Sequence, residues 1–546
     1  MFALDYHERT KHAFNHFARS PGRLDWATQP DPFRRYHGST VVPLPRASAS
    51  RGVPYAALYD GTVSVHPMDE EAVAEFLRCA LGLSAWKSFQ QTRWPLRVNP
   101  SSGNLHPTEG YLVRDGRVFH YAPREHELEL RCELGEPAWA AYGCGRDGVL
   151  VGLSSIGWRE AWKYGERAFR YCQHDVGHAV AALRLSAAML GWSVRLLARW
   201  RDDDVATVLG LDQPMDDPDA EREAPECLMV VTAGDPTLWM EADPSPLVAD
   251  ARAGRWSGRA NRLSAGHVQW PVIDEVEAAT RSPGRAPGAA SAAVPRSVPA
   301  ASTSDLVSAP ISGSPLTADA RALILSRRSA VAFDGASVLS RLAFERMLGR
   351  LIGDGVPWDV TGRCPLVQLV VFVHRVEGVT PGIYAFLRDP SVLPSWKAAT
   401  RPEFLWEPSD GAWRDRFFLL LPADVRWPAT RVSCDQDIAG DGFFSLGMVA
   451  PLGSVLAEEG EWSYRRLFWE CGTIGQVLYL EAEAAGGRGT GIGCFYDDAV
   501  HDLLGFTDGA WQSLYHFSMG VPVEDVRLTS EPGYPWERAA APADPG

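Results

Sequence analysis

The sequence has no Cys-x-x-Cys pair, no regular cysteine spacing and no apolar run longer than a strand. Its nine cysteines are scattered and odd in number. That excludes a disulfide scaffold and a structural zinc finger, and it fits a reducing cytoplasm. The opening MFALDYHERTKHAF lacks the apolar core of a signal peptide, and LVQLVVFV near residue 370 is too short to span a bilayer, so a cytosolic location is expected. A basic excess is missing too. With a net charge of -15, a broad nucleic-acid or anionic-membrane surface is excluded, and any bound phosphate must be held by a few local arginines. There is no dinucleotide-binding glycine fingerprint of the Rossmann type.

What is present fits an ordinary globular chain, 46% hydrophobic and 22% charged. At 546 residues it is too long for one hydrophobic core and implies two to four domains. Its 20 tryptophans serve packing, and such rings also stack on flat aromatic ligands. From Ser282 to Pro315 alanine, proline, serine and glycine dominate, which predicts a flexible tether. The expected division is a domain at 1–245, a connecting segment at 246–315 and a second domain at 316–540.

The halves repeat one order of elements. YLVRDGRVFHYAPREHELEL reads strand, Asp115-Gly116 turn, strand, and LVVFVHRVEGVTPGIYAFLRDP reads strand, turn, strand. DVGHAVAALRLSAAMLGW and GTIGQVLYLEAEAAGGRGTG read as helices that open near a glycine and end in one. CLMVVTAGDP and SLYHFSMGVP close each half as a strand and turn. An internal duplication is expected.

One stretch stands apart. RVNPSSGNLHPTE, residues 97–109, cannot be a helix interior, because Pro100 and Pro107 remove donors and Gly103 costs backbone entropy. It predicts a rigid turn of small hydroxyls and open amides.

In the second half SRRSAVAFDG, CGTIGQVLYLEAEAAG, GIGCFYDD and YHFSMGVPVEDVRL follow in that order. Together with PSSGNLHPTEGYLV and WKYGERAFRYCQHDVGH of the first half, they resemble the nitroreductase superfamily of flavin mononucleotide (FMN) enzymes, in particular its SagB-type branch, the azoline-oxidising dehydrogenases of peptide natural products. The resemblance covers most of both halves and not the tether. It implies an α+β fold of two tandem domains, each an antiparallel-rich mixed sheet flanked by helices, together forming an intramolecular pseudo-dimer. Relatives share each flavin between two subunits, and the motifs here are divided between the halves in the same manner. One composite FMN site and one decayed site are therefore expected.

In that site Pro100, Ser101, Ser102 and Asn104 would meet the ring edge and ribityl hydroxyls, and Arg327, Arg328 and Ser329 the phosphate, flavin carbonyls and ribityl chain. Gly491, Ile492 and Gly493 would let a backbone N–H approach the ring, and Arg527 would add a charge at the phosphate. Taken alone, the arginine pair also reads as a solvated helix start and the Gly491–Gly493 stretch as a helix-to-strand turn. Val331 stands where relatives often carry a basic residue. Lys163 and Tyr164 match a base and proton relay of the azoline oxidisers, the alternative being a surface lysine beside a packed tyrosine. The second half has GEWSYRRLFW there and no such pair.

His174 and His178 have the spacing of a zinc helix. The intervening acid is the shorter Asp175, Gly177 weakens the helix and no third ligand is evident downstream. A helix N-terminus packed near the flavin is the expected role, and no metal is. The implied activity is oxidation of a small or peptide-derived substrate, with dioxygen reoxidising the flavin and other enzymes of a biosynthetic cluster as partners. Further homodimerisation stays open. The alternatives are an NAD(P)H-dependent nitro or quinone reductase and a non-catalytic scaffold of a biosynthetic complex.

Overall fold

In the computed structural model the described residues are 1–46, 50–143, 147–215, 217, 219–284, 317–506 and 509–540. The expected tether lies, apart from its first three residues, outside them. In the first half, Asp115 and Gly116 both have positive φ (51° and 69°), the geometry that lets two residues reverse a strand with the right twist. They join β4 (Thr108–Arg114) to β5 (Arg117–Ala122). With β1 (Thr40–Pro43), β6 (Glu127–Glu133), β7 (Val149–Ser155), β8 (Ser193–Leu196) and β9 (Ala224–Thr232) they form a seven-stranded sheet in the order β1-β6-β5-β4-β7-β9-β8. All its ladders are antiparallel.

The second half builds the same sheet. Its strands are β10 (Gln368–Val373), β11 (Gly382–Phe386), β12 (Glu407–Pro408), β13 (Phe417–Pro422), β14 (Phe444–Ala450), β15 (Arg488–Ile492) and β16 (Gln512–Gly520), in the order β12-β13-β11-β10-β14-β16-β15. Six of its seven strands repeat the first order; the edge strand does not, since β12 follows β11 in the chain whereas β1 precedes β4. The duplication and the two-domain α+β architecture expected from the sequence are therefore the observed ones. The run LVVFV falls in β10, and all six residues of that strand are buried, as its unbroken apolar character requires.

Each sheet packs on a long helix, α3 (Ala168–Ala188) or α4 (Ser463–Ala484), preceded in the first half by α1 (Phe2–Arg9) and α2 (Gly157–Tyr164). These boundaries correct the sequence reading. Neither long helix opens at the glycine expected of it: Gly177 and Gly472 lie well inside them. A Cβ on Gly177 would stand 2.2 Å from the carbonyl oxygen of Trp469, and one on Gly472 2.2 Å from that of His174. The two glycines are where α3 and α4 cross backbone to backbone, which tolerates no side chain. Their expected glycine ends hold, with Gly191 and Gly486 in left-handed conformation just past the last turn.

The chain ends cross between halves. Helix α1 joins the core of the second sheet through Ala3 and Tyr6. Strand β17 (Thr529–Pro532) pairs with the hairpin of β2 (Leu83–Phe89) and β3 (Thr92–Arg97) in the first half, an element the sequence pattern did not reveal. Among the described residues no helix is long and apolar enough to cross a membrane.

Candidate active site

The turn after β3 is built as the sequence predicts, and its own side chains hold it. Gly103, Asn104 and His106 have φ of 60°, 59° and 53°. The His106 N–H donates to Ser101 Oγ (2.8 Å), and Asn104 Nδ2 donates to the Pro95 carbonyl (2.9 Å) while its Oδ1 faces His106 Nε2 (3.0 Å). The Asn104 amide is thus committed to the turn. Ser102 donates twice to Asp175 of α3, from its N–H (3.1 Å) and from Oγ (3.2 Å).

Lys163 and Tyr164 end helix α2. Gly165 stops the helix with φ 55° and ψ -130°, and a Cβ there would stand 2.4 Å from the Arg19 carbonyl oxygen. The break delivers the pair to the turn: a Cβ on Gly103 would meet Tyr164 Oη at 2.6 Å and Lys163 Nζ at 3.2 Å. Both side chains are half-buried, and Lys163 Nζ stands 5.1 Å from the Tyr164 ring centroid. Burial pushes the Tyr164 hydroxyl well above its usual range, and the Glu160 carboxyl raises it further.

Sequence reading missed one buried acid near this pair, Glu160, and weighed the other, Asp175, only as part of a zinc pattern. Both carboxyl oxygens of Glu160 are buried, with Ser101 as their polar neighbour. Burial holds Glu160 well above the ordinary carboxylate range, Asp175 adds to that, and Lys163 opposes it. Burial also raises Asp175 to about 7, against the hydrogen bonds from the serine pair. Burial thus pushes both neighbouring carboxyls towards their neutral form.

The second half reaches into the same place. Arg327, 3% exposed, donates from Nε to the Val98 carbonyl (2.9 Å) and from Nη2 to the Arg97 carbonyl (3.1 Å), the last residues before the turn. Its Nη1 is buried without a partner among the described residues. The guanidinium lies 5.0 Å from the Tyr479 ring centroid. Arg328 behaves otherwise: Nη1 turns back to the Leu325 and Arg327 carbonyls, closing the helix Ala320–Ser326, and Nη2 donates to the Ser84 carbonyl. Ser329 Oγ lies 3.0 Å from Tyr479 Oη, which also accepts the Gly491 N–H (2.9 Å). That N–H is therefore already taken. A Cβ on Gly491 would stand 1.9 Å from Tyr515 Oη, and one on Gly493 2.1 Å from Tyr171 Cε1, so both glycines lie against tyrosines.

Two positions fall outside this gathering. Arg527 is 70% exposed in its side chain and pairs with Asp525 (2.7 Å), so the structure does not bring it to the other residues. Val331 is 79% exposed, and a basic residue there would face solvent.

The histidine pair lies in the second and third turns of α3, not at its N-terminus. His174 Nε2 donates to the Leu514 carbonyl (3.0 Å) while the ring stacks on Tyr515 at 4.0 Å, and His178 Nε2 lies 3.2 Å from Tyr515 Oη. Both rings are committed to packing against the second half. Burial, then the Arg327 charge, lowers His178 to about 3, so it is neutral at pH 7. Among the described residues no cluster of three His, Cys, Asp or Glu is placed to hold a metal. A further joint was missed: Asp497 of FYDD meets Arg167 (2.9 Å) and Arg170 (2.7 Å) of the first half, all three buried. Those arginines hold its carboxyl far below the usual range despite burial.

No family model matches the sequence. A solved structure from Anabaena variabilis, described as a nitroreductase, superposes over 96% of this chain and 99% of its own, with a TM-score of 0.67 at 20% identity. A Methanocaldococcus jannaschii protein named as a nitroreductase is 24% identical over 159 residues, 27% of this chain and 77% of the relative. The microcin synthetase complex McbBCD of E. coli, with truncated pro-MccB17 bound, covers 43% of this chain and 93% of its own at 18% identity, with a TM-score of only 0.26. The fold is thus that of nitroreductases, present twice in one chain.

Proposed function

We propose that this chain is an FMN-dependent oxidoreductase of SagB type, a dehydrogenase that oxidises a peptide- or amino-acid-derived substrate at one site shared by its two domains, 1–245 and 316–540. The observation that carries the reading is the meeting of Lys163, Tyr164 and the Gly103 turn with Arg327 from the other half. FMN fits part of the expected residue set. The orphaned Nη1 of Arg327 offers a charged donor, and the hydroxyls of Ser101, Ser102 and Ser329, already bonded to His106, Asp175 and Tyr479, offer only their remaining capacity. Gly491 N–H, the Asn104 amide and Arg527 are not offered, so the fit rests on the former group. When bound, FMN supplies a two-electron acceptor.

The chain's own part is the proton. Azoline oxidation removes one proton and one hydride equivalent, and Lys163 Nζ is positioned to take the proton. Tyr164 Oη anchors the substrate or relays that proton. The partners in this reading are a small or peptide substrate and other enzymes of a biosynthetic cluster, with no nucleic acid or membrane. A second reading, an NAD(P)H-dependent reductase, draws on the nitroreductase names of the two relatives. Anaerobic bleaching of the visible flavin band separates the two. Bleaching by azoline peptides that is lost in Lys163→Ala supports the dehydrogenase. Rapid bleaching by NAD(P)H that survives Lys163→Ala and Tyr164→Phe overturns it in favour of the reductase.

A further inference from the structure

The crossing of α3 and α4 relates the halves by an approximate twofold: Gly177 packs on Trp469 as Gly472 packs on His174. Exchange of the halves carries the turn before β4 onto Thr361–Pro365 before β10, strand β15 onto β8, and the start of α3 onto Trp462–Trp469. Those three counterparts line a cavity of about 470 Å³, with an adjoining lobe of about 60 Å³. Like the candidate active site, it is walled by both halves. The register that pairs Gly177 with Gly472 puts Glu458 and Glu459 in the places of Lys163 and Tyr164, so the base is absent.

The lining has a chemistry of its own. Trp200, Trp462 and Trp469 give it flat aromatic walls. The guanidinium groups of Arg466 and Arg363 lie 5.0 and 5.9 Å from the Trp462 ring centroid. Those two arginines share one carboxylate, Glu459, at 3.6 and 2.6 Å. Arg184 and Arg195 likewise share Asp359, at 2.9 and 2.8 Å. Arg465 has two acids, Asp202 (2.6 Å) and Glu226 (3.3 Å), of which burial raises Glu226 to about 7. The Nε donors of Arg465 and Arg466 are buried without partners among the described residues. Five arginines and five acids line the cavity and its lobe, so what it offers an anion is the two unpaired Nε donors against aromatic faces. Its volume is that of a small-ligand site.

We propose that this cavity is a second ligand site, which takes a planar aromatic anion and does no chemistry on it. The anion's charged group completes Arg466 and competes with Glu459 for Arg363, and its rings lie against the tryptophans. The proposal stands on the fold and is independent of the FMN reading.

The test titrates the full chain with 8-anilinonaphthalene-1-sulfonate, followed by energy transfer from tryptophan and by calorimetry. The neutral N-phenyl-1-naphthylamine serves as control. One equivalent of the sulfonate is expected, with the neutral probe ~10-fold or more weaker, since a charged hydrogen bond is lost. Arg363→Gln should weaken the sulfonate by about the same factor, and Thr361→Trp, at the exposed mouth, should block it. Both changes lie in a surface loop, and an unchanged melting temperature verifies their folding. Arg327→Ala, in the other site, should leave probe binding unaltered whether or not FMN binds there. Equal affinity for the neutral probe, or sulfonate binding that persists in both cavity variants, overturns the proposal.

Discussion

At the scale of the residue, the proposal turns on which side chains grip and which react. Lys163 and Tyr164 touch the turn but hold no expected cofactor contact, so Lys163→Ala and Tyr164→Phe should leave flavin content unchanged. Substrate oxidation should fall by about two to four orders of magnitude, the usual worth of a positioned acid or base. A matching loss of flavin in either variant would show the pair to be structural. Asp175 gives a pH prediction. Its folded pKa of about 7 lies above the unfolded value near 4, so the folded state binds the extra proton between them. That contribution is full below about pH 4 and is lost as pH rises towards 7. Asp175→Asn should flatten melting temperature against pH across that window, and an unchanged profile would contradict the assignment. Asp497 has the opposite sign: its depressed carboxyl stabilises above about pH 4 and loses that effect as the pH falls. Asp497→Asn strands two buried arginines and should cost about 3–5 kcal/mol in denaturant unfolding at pH 7. The sequence showed the serine turn and the Lys-Tyr pair because proline, glycine and adjacency are local signals. Asp175 stood in plain view and was weighed only as part of a zinc pattern, since nothing local joins it to Ser102. The division of labour between Arg327 and Arg328 was hidden for the same reason: adjacent arginines look alike until one turns back on its own helix.

At the scale of the element, strands and hairpins were legible from alternation and from Asp115-Gly116, whereas the long helices were placed too late. Glycine ordinarily marks a helix end, and here close crossing overrode that reading at Gly177 and Gly472. The sign of a substitution separates the two roles. In an exposed helix interior Gly→Ala gains about 1 kcal/mol of propensity. At this crossing the new Cβ meets backbone at 2.2 Å, and overpacking of about 1–3 kcal/mol or more should outweigh the gain. Gly177→Ala and Gly472→Ala should each lower denaturant stability, and a stabilised variant would refute the crossing. Strand β17 escaped notice because TSEP has no apolar alternation and pairs with a hairpin far back in the sequence.

At the scale of the whole molecule, repetition of element order was visible in the sequence, and the two sheets repeat it in all but the edge strand. What the sequence did not disclose is how thoroughly the halves interlock. Helix α1 enters the second core, β17 joins the first half and Asp497 bridges them. Neither half expressed alone should retain FMN, because the serine turn and Arg327 would be separated. Tight retention by residues 316–540 alone would make the turn dispensable. The most direct test of the single composite site is the ratio of released flavin to protein in the full chain. The site predicts one FMN per chain, with retention weakened by about 1.5–3 kcal/mol in Arg327→Ala. Two FMN per chain, or one that Arg327→Ala does not loosen, would contradict it.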